Sequence, residues 1–451
     1  EEYGERFIEK INGMFSICLF DKNINLLLLI RDRIGIKPLF YHYNEKRLCF
    51  SSSIKSIKKI LSNINIDKKN FLLYLTANYV PNSESIYSDI KKLKPGEYIR
   101  IQNNRIKFIK YWNLPKSNKS IKDDEFEQNL KNLILNSIKI QSRSDVEVGS
   151  MLSGGVDSSI ITSLFAKNVD KKVKTFCLDF IGKNQNENND AQIVSKNINS
   201  DHFNKNIDHK IFYESLEKIS NLLDEPISDN AMISSYVVSQ MAKKNNVKVI
   251  LSGAGGDELL GGYSRHYQSF KNFFIGAMRI ESNFANKLVK MLPLSMRNYF
   301  FKIKSQSLNY INDTSGVNIS SFLSIIKDEK ILNETVFQIE QIYKPFLEQK
   351  TLNYKKKIMS SDLLNYLPDN VLSLLDKTTM MNSIEGRVPF LDHRIVEYVY
   401  SSNNCIFKNN KFNNSKIILK KIFKNDIPNH IYQKPKIGFN APLNYWKNEN
   451  V

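Results

Sequence analysis

Ser153-Gly154-Gly155-Val156-Asp157-Ser158-Ser159 is the segment of this chain whose residue types and spacing most clearly suit chemistry. Adjacent glycines remove side chains from a turn, so backbone N–H groups approach an anion closely. A helix starting there adds its positive dipole end, and the serines add hydroxyl donors. The chemistry that follows is the cradling of phosphate. The Gly-Lys-Ser/Thr ending of a Walker loop is absent, which excludes that class of hydrolysing NTPase. A two-glycine turn with a helix cap is the plainer reading of such a string. The apolar run before it and the helical pattern after it favour phosphate.

An apolar strand must end at Met151-Leu152 and a helix must run from Ser158 to Lys167 to position that turn. Further strands are expected at Val173 to Phe180 and Val247 to Leu251, the latter running into a second Gly-rich loop. Helices are expected over Asp124 to Arg143, Tyr213 to Leu223 and Ser234 to Asn245. Strand and helix in alternation predict a parallel sheet covered on both faces. Residues 267–430 read as mostly helical. The first part of the chain differs: short apolar runs at Gly13 to Asp21, Leu26 to Ile30, Leu39 to Tyr43 and Arg47 to Ser52 are joined by polar turns. A helix is expected over Ile54 to Leu61 and a hairpin over Ile99 to Ile109. The polar stretch Pro115 to Ser120 marks the expected domain boundary.

The chain has 451 residues, 41% of them hydrophobic, which is more than one core usually serves. Lys and Arg number 65 against 46 Asp and Glu, for a formal charge of +19. The lysines are scattered among asparagine and isoleucine from end to end. That argues for a global bias and against a nucleic-acid face. Cys18, Cys49, Cys177 and Cys405 form no C-x-x-C pair, and the histidines are dispersed, so neither zinc nor a disulfide framework is expected. Cys18 and Cys49 read as small buried apolar residues. The apolar run Ile24 to Ile30 is too short to span a bilayer, and no signal segment is read at the start. A cytoplasmic protein, with no membrane partner, is the expectation.

The string Ser-Gly-Gly-x-Asp-Ser-Ser resembles the pyrophosphate loop of the ATP-pyrophosphatase superfamily. Leu251-Ser252-Gly253-Ala254-Gly255-Gly256-Asp257-Glu258-Leu259-Leu260-Gly261-Gly262-Tyr263 is similar to the second nucleotide loop of glutamine-dependent asparagine synthetases. Glu385-Gly386-Arg387-Val388-Pro389-Phe390-Leu391-Asp392-His393, Lys434-Pro435-Lys436-Ile437-Gly438-Phe439 with Pro442 and Trp446, and Asp224-Glu225-Pro226 with Asp229 fall in the same family's pattern. Upstream, Gly13-Met14-Phe15, the run Arg31 to Leu39 and Phe50-Ser51-Ser52 resemble the second half of that family's glutaminase domain. The resemblance implies an α/β fold class. Residues 1–118 would be the antiparallel β-sandwich remnant of an N-terminal-nucleophile glutaminase. Residues 119–451 would be a parallel-sheet ATP-pyrophosphatase domain with a helical extension.

The resemblance also implies roles. Leu152, Ser153, Gly154, Gly155, Asp157, Ser158, Ser159, Leu178, Ser252, Gly253 and Gly255 would contact ATP. Asp157 and Asp257 would hold Mg²⁺, a cation that takes oxygen ligands; helix capping is their plainer role. Core packing is the plainer role of Leu152 and Leu178. Lys436 would stand by the α-phosphate, where negative charge grows. Arg387 and Asp376 would organise the pocket. Many members of the family carry a carboxylate, thought to help deprotonate incoming ammonium, at the position of Ala254. Glu385 is the remaining candidate for that work, its plainer role being an ion pair with Arg387.

The implied reaction is ATP-dependent amidation of a carboxylate, by way of an acyl-adenylate, with release of AMP and pyrophosphate. Aspartate is the expected acceptor, with ammonia drawn from glutamine in the intact parent. A sugar acid or peptide carboxylate is the alternative, favoured by Ala254, and an inactive fragment is a third reading. The family's nucleophilic cysteine would precede Glu1, so glutamine hydrolysis is not expected of the chain as given. A homodimer stays open.

Overall fold

The computed structural model describes residues 2–44, 47–61, 63–116, 120–182, 187–267, 305–316, 326, 328–403, 405–408, 415–433, 441–442 and 446. Two antiparallel sheets form the first part. Strands β1 (Ser16–Asp21), β2 (Leu26–Arg31), β6 (Glu97–Gln102) and β7 (Arg105–Lys110) lie in the order β1-β2-β6-β7. Strands β3 (Phe40–Asn44), β4 (Arg47–Ser51) and β5 (Lys91–Lys92) lie in the order β4-β3-β5. Strand side chains alternate between faces, and β2 is apolar on both. Leu26, Leu28 and Ile30 pack towards Ile8, whereas Leu29 packs with Ile99, Leu39, Tyr41 and Leu93 between the sheets. Cys49 is buried as expected, but Cys18 is exposed, because β1 is an edge strand with most of its residues facing solvent.

Strands β8 (Val148–Met151), β9 (Lys174–Phe180), β10 (Asp201–Ile207), β11 (Val249–Leu251) and β12 (Glu385–Arg387) form an all-parallel sheet in the order β10-β9-β8-β11-β12. The chain winds outward from β8 in one direction and from β11 in the other. The topological switch point therefore falls between β8 and β11, at whose carboxyl ends such sheets bind ligands. Helices Asp123–Gln141 and Val156–Lys167 contribute to the core on one face of the sheet, and His209–Leu222 and Ala231–Lys244 to that on the other.

Several elements escaped the sequence reading. Helix Lys68–Ala77 has a capping signal, since Asp67 accepts from the amides of Lys69 and Asn70. The stretch with helix Glu187–Asn197 and β10 is rich in asparagine and lysine, which hides its periodicity. The segment after residue 267, expected to be helical, also supplies the three residues of β12; positions 268–304 lie outside the described residues.

A continuous helical run, Tyr354–Ser361, Asp362–Val371 and Leu372–Met380, passes under the parallel sheet's carboxyl edge. Its middle third is π-helical and contains Pro368. Proline has no N–H to offer and its ring clashes with the carbonyl one turn back, so the wider turn relieves both.

This run also meets the antiparallel sheets through a buried ionic seam. Lys92 Nζ lies 3.1 Å from Glu225 Oε2 and 3.5 Å from Asp369 Oδ1, and donates to the Val80 carbonyl. Lys377 pairs with Asp224, which also accepts from the Ile54 amide at 2.7 Å, and Lys37 lies 2.8 Å from Asp376. Burial alone would lower the Lys92 pKa, but Asp369 and Glu225 outweigh it and the value is raised. Lys92→Met leaves two buried carboxylates without their cation. It should destabilise the fold by about 3–5 kcal/mol, the scale for breaking a buried pair from one side. Urea denaturation measures this; a loss below about 1 kcal/mol, the ordinary scale of an exposed pair, would remove Lys92 from the seam's centre.

Candidate active site

The loop after β8 is shaped by its own hydroxyls. Gly154 takes φ +75°. Ser153 Oγ and Ser158 Oγ lie 3.0 Å apart, the Ser153 amide donates to Ser158 Oγ at 3.2 Å, and Ser158 Oγ donates to the Gly155 carbonyl at 3.2 Å. Helix Val156–Lys167 begins at once, earlier than expected from sequence, with no side-chain cap on its first amides. Those amides stay available to an anion.

The loop after β11 packs directly on this one. A Cβ at Gly253 would stand 3.0 Å from Asp157 Cβ and 3.1 Å from the Ser158 amide. Gly255 takes φ +87°, with Leu391 where a Cβ would project. The two loops thus face each other across the switch point. Between them opens a cavity of about 590 Å³, a size that suits a nucleotide-scale ligand.

The cavity has three kinds of wall. Met151, Phe176, Val238, Leu374 and Leu375 supply an apolar part. Ser153, Gly154, Gly155, Asp157, Ser158, Ser252, Gly253 and Asp257 supply the two loops, with Lys416 and Lys420 beside them. Asp229, Tyr263, Ser264, Tyr366 and Ala254 also line it. Lys416 Nζ pairs with both Asp157 Oδ2 and Asp257 Oδ1. Burial, and after it the charge of Lys416, lowers the Lys420 pKa.

The tyrosines are braced from behind. The Arg265 guanidinium lies 3.9 Å from the Tyr263 ring centre and 4.9 Å from that of Tyr366. Arg265 Nε donates to Asp362 Oδ2 at 2.9 Å, His266 Nε2 lies 2.7 Å from the same oxygen, and Tyr310 donates to the other. Tyr263 donates to Glu258 at 2.7 Å. Burial pushes Glu258 up, whereas Arg265 and His266 outweigh burial and hold Asp362 below its ordinary range.

Two carboxylates alone do not make a self-sufficient metal cage, and among the described residues no group of three or more His, Cys, Asp or Glu forms one. A Mg²⁺ ion, however, usually takes one or two carboxylates and completes its shell with phosphate and water. Asp157 and Asp257 fit that donor set: they come from different loops to one point, and Asp157 Oδ1 is buried with no hydrogen-bond partner among the described residues.

Sequence-predicted residues separate here. Leu152 is buried and lines the cavity with the loop residues named above. Leu178 is core, packed with Phe180, Ile207 and Phe212 rather than at the cavity wall. Ser159 is buried in the second position behind the loop, and Gly255 serves the turn, so neither lines the cavity. Lys436 lies outside the described residues. Glu385 and Arg387 are not at the cavity. Glu385 pairs in register with Val249, at the start of β11, whereas the site lies beyond that strand's end. Arg387 Nε donates to Glu385 Oε1 at 2.9 Å, and its Nη1 donates to the carbonyls of Gln141 and Arg143, ending the helix Asp123–Gln141. Asp376 likewise belongs to the seam. Lys416, Lys420, Tyr263 and Tyr366 went unread as site residues; the two lysines are hidden in a lysine-rich background, and only the fold carries them to the loops.

Parallel sheet, switch-point cavity and paired phosphate-type loops define a nucleotide-dependent α/β protein, and the comparisons with known proteins place it further. The asparagine synthase family matches residues 129–451, and a glutamine amidotransferase domain matches residues 1–112. Glutamine-hydrolyzing asparagine synthetase 1 of Bacillus subtilis is 31% identical over 99% of this chain and 71% of its own length. A putative glutamine-hydrolyzing asparagine synthetase 2 of Methanocaldococcus jannaschii is 31% identical over 85% of this chain and 75% of its own. A putative counterpart in Mycobacterium bovis is 26% identical, over 98% and 69%. The chain belongs to the asparagine synthase family. No described helix is long and apolar enough to cross a membrane.

Two outcomes follow from the site's surroundings. Burial lowers the His266 pKa from 6.5 to about 4. As pH falls, the unfolded chain takes up this proton first. The stability this residue contributes is therefore complete above about pH 6.5 and lost towards pH 4. His266→Asn should flatten the dependence of unfolding free energy on pH across that window; an unchanged slope would assign it to other groups. Glu385→Gln should leave steady-state turnover within about twofold and stability within about 1 kcal/mol, as for an exposed ion pair; a tenfold loss of turnover at intact stability would return Glu385 to the chemistry.

Proposed function

We propose that this chain adenylates a carboxylate with Mg·ATP and amidates it with ammonia, with aspartate as the acceptor. The observation that supports this reading is the convergence of the two loops, with Asp157 and Asp257, on one cavity at the switch point. In the reaction a carboxylate oxygen attacks the α-phosphorus and the bond to the β-phosphate bridging oxygen breaks, releasing pyrophosphate. Ammonia then attacks the acyl carbon and loses a proton, and AMP departs with the carbon–oxygen bonding pair. Glutamine as ammonia source comes from the relatives' names, and from the amidotransferase match over residues 1–112.

The chain's own groups divide the work. Amides and hydroxyls of residues 153–158 hold the β- and γ-phosphates, and the apolar wall takes the adenine. Asp157 and Asp257 would hold Mg²⁺, whose charge would offset that of the departing pyrophosphate. The wall of Asp229, Tyr263, Ser264 and Tyr366 receives the acceptor. Position 254 faces the same space and, as alanine, moves no proton.

That alanine favours a second reading, in which the acceptor is a sugar acid or peptide carboxylate. The two readings separate in one assay. With ammonium, ATP and aspartate, exchange of labelled pyrophosphate into ATP and formation of AMP should both depend on aspartate. Ala254→Glu should then raise amide formation by about tenfold or more, the lower scale of proton-transfer assistance being about a hundredfold. Absence of aspartate-dependent exchange in the parent chain, with exchange elicited by a uronic acid, would transfer the proposal to the second reading. Asp157→Asn should weaken Mg·ATP binding by about 1–3 kcal/mol, the scale for a lost charged partner; unchanged calorimetric affinity would take Asp157 out of the metal site.

A further inference from the structure

Lys416 has features that a surface lysine lacks. Its side chain is 5% exposed, and its ammonium pairs with both Asp157 and Asp257. Its backbone is left-handed, at φ +55° and ψ +29°, just before helix Ile417–Ile422. A non-glycine residue keeps that conformation only where the surroundings impose it. The path of its side chain also depends on Gly262: a Cβ there would stand 2.6 Å from Lys416 Cε and inside the Asp257 carboxylate. Two loops a hundred residues apart, a bare glycine and a strained backbone therefore bring one ammonium to the place where two carboxylates meet.

Two carboxylates so close repel one another unless a cation lies between them. The same two oxygens cannot serve an ammonium and a divalent ion fully at once. We propose that Lys416 is the resident cation of this site: it holds Asp157 and Asp257 together until a divalent ion arrives with a nucleotide, yields both carboxylates to the ion, and then donates to the pyrophosphate that nucleotide carries. The inference rests on the metal reading of Asp157 and Asp257 given above. A free divalent ion has to displace a tethered competitor and leave its ammonium buried without a partner. The metal–nucleotide complex offers that ammonium a polyphosphate in exchange. Lys416 thus couples metal entry to nucleotide entry, because each supplies what the other displaces.

Mn²⁺, followed by its electron paramagnetic resonance signal, is the probe, with the full chain as it stands. For the parent chain, Mn²⁺ binding without nucleotide should be weak and should tighten when ATP is added. For Lys416→Met, affinity for Mn²⁺ alone should rise by at least about tenfold, while affinity for inorganic pyrophosphate in the presence of Mn²⁺ should fall by at least about tenfold. Thermal unfolding gives an independent readout that also monitors folding. Lys416→Met leaves the carboxylates facing each other, so its Tm should drop and recover with millimolar Mg²⁺, whereas the parent Tm should respond little to Mg²⁺ alone. Lys416→Arg keeps a cation in place and should keep nucleotide-free Mn²⁺ affinity near the parent's. Mn²⁺ affinity that does not rise in Lys416→Met, while Asp157→Asn still weakens Mn·ATP binding, overturns the role given to Lys416 and leaves the metal site standing. Mn·ATP binding unchanged in both Asp157→Asn and Asp257→Asn overturns the metal reading itself.

Discussion

Two like charges held at one point are the constraint around which this site is arranged. Asp157 lies in the first turn of the helix that follows β8 and Asp257 in the first turn of the helix that follows β11, and both pair with the Lys416 ammonium. Carboxylates in contact raise each other's energy unless positive charge intervenes. The sheet settles where this happens. Its winding reverses between β8 and β11, so the two turns leave in different directions and open a cleft between them. Gly253 then lets one turn rest on the other. Backbone amides, helix dipole and carboxylates thus meet without any residue reaching far from its own strand.

The helical run 354–380 joins this centre to the rest of the molecule. Asp362, at its π-helical start, anchors Arg265 and His266 behind the two tyrosines. Tyr366, Val371, Leu374 and Leu375 reach the cavity. Asp369, Asp376 and Lys377 reach the ionic seam with the antiparallel sheets. The wider turn at Pro368 rotates successive side chains by a different angle from an α-helix, so one helical run faces three surroundings between Asp362 and Lys377. Seam and cavity therefore share a rigid element.

What could be read in the sequence was whatever depends on local geometry. The loop Ser153 to Ser159 needs its glycines, the strand before it and the helix after it in immediate succession, and all three are visible in order. The hairpin of β6 and β7 and the antiparallel β1–β2 pair show the same locality. What could not be read depends on distant parts of the chain. Lys416 resembles the other lysines until helix Ile417–Ile422 is packed against helix Asp123–Gln141. Glu385 and Arg387 fall in the family's most recognisable string, yet in the structure their side chains pair with each other, and Arg387 also donates to a carbonyl at a helix end. A short motif identifies a family well and a residue's work poorly, since a strand of three residues can be invariant in role for its packing alone. Cys18 illustrates the reverse error: an apolar run predicts a strand but not which edge of the sheet it takes.

The walls of the cavity also differ in how firmly they are specified, and that difference bears on specificity. The phosphate side is built of backbone and short side chains, whose positions follow from φ, ψ and close packing. A change there disturbs the fold and the nucleotide together. The wall proposed for the acceptor is built of Asp229, Tyr263, Ser264 and Tyr366, and several of these side chains lean on a second layer of buried polar partners. Asp229 accepts from the Ala231 amide at 2.9 Å and from Asn370 Nδ2 at 3.1 Å, and the tyrosines lean on Arg265. Buried groups held by several hydrogen bonds keep their geometry, because breaking one leaves a buried polar atom unpaired. Ala254 stands apart from that layer: it has no polar side-chain atom, and its amide is satisfied locally by Ser252 Oγ at 3.3 Å. In the reaction proposed above, position 254 is where proton transfer would be gained or lost without rebuilding the nucleotide site, and the braced wall is where the shape of the acceptor would be decided.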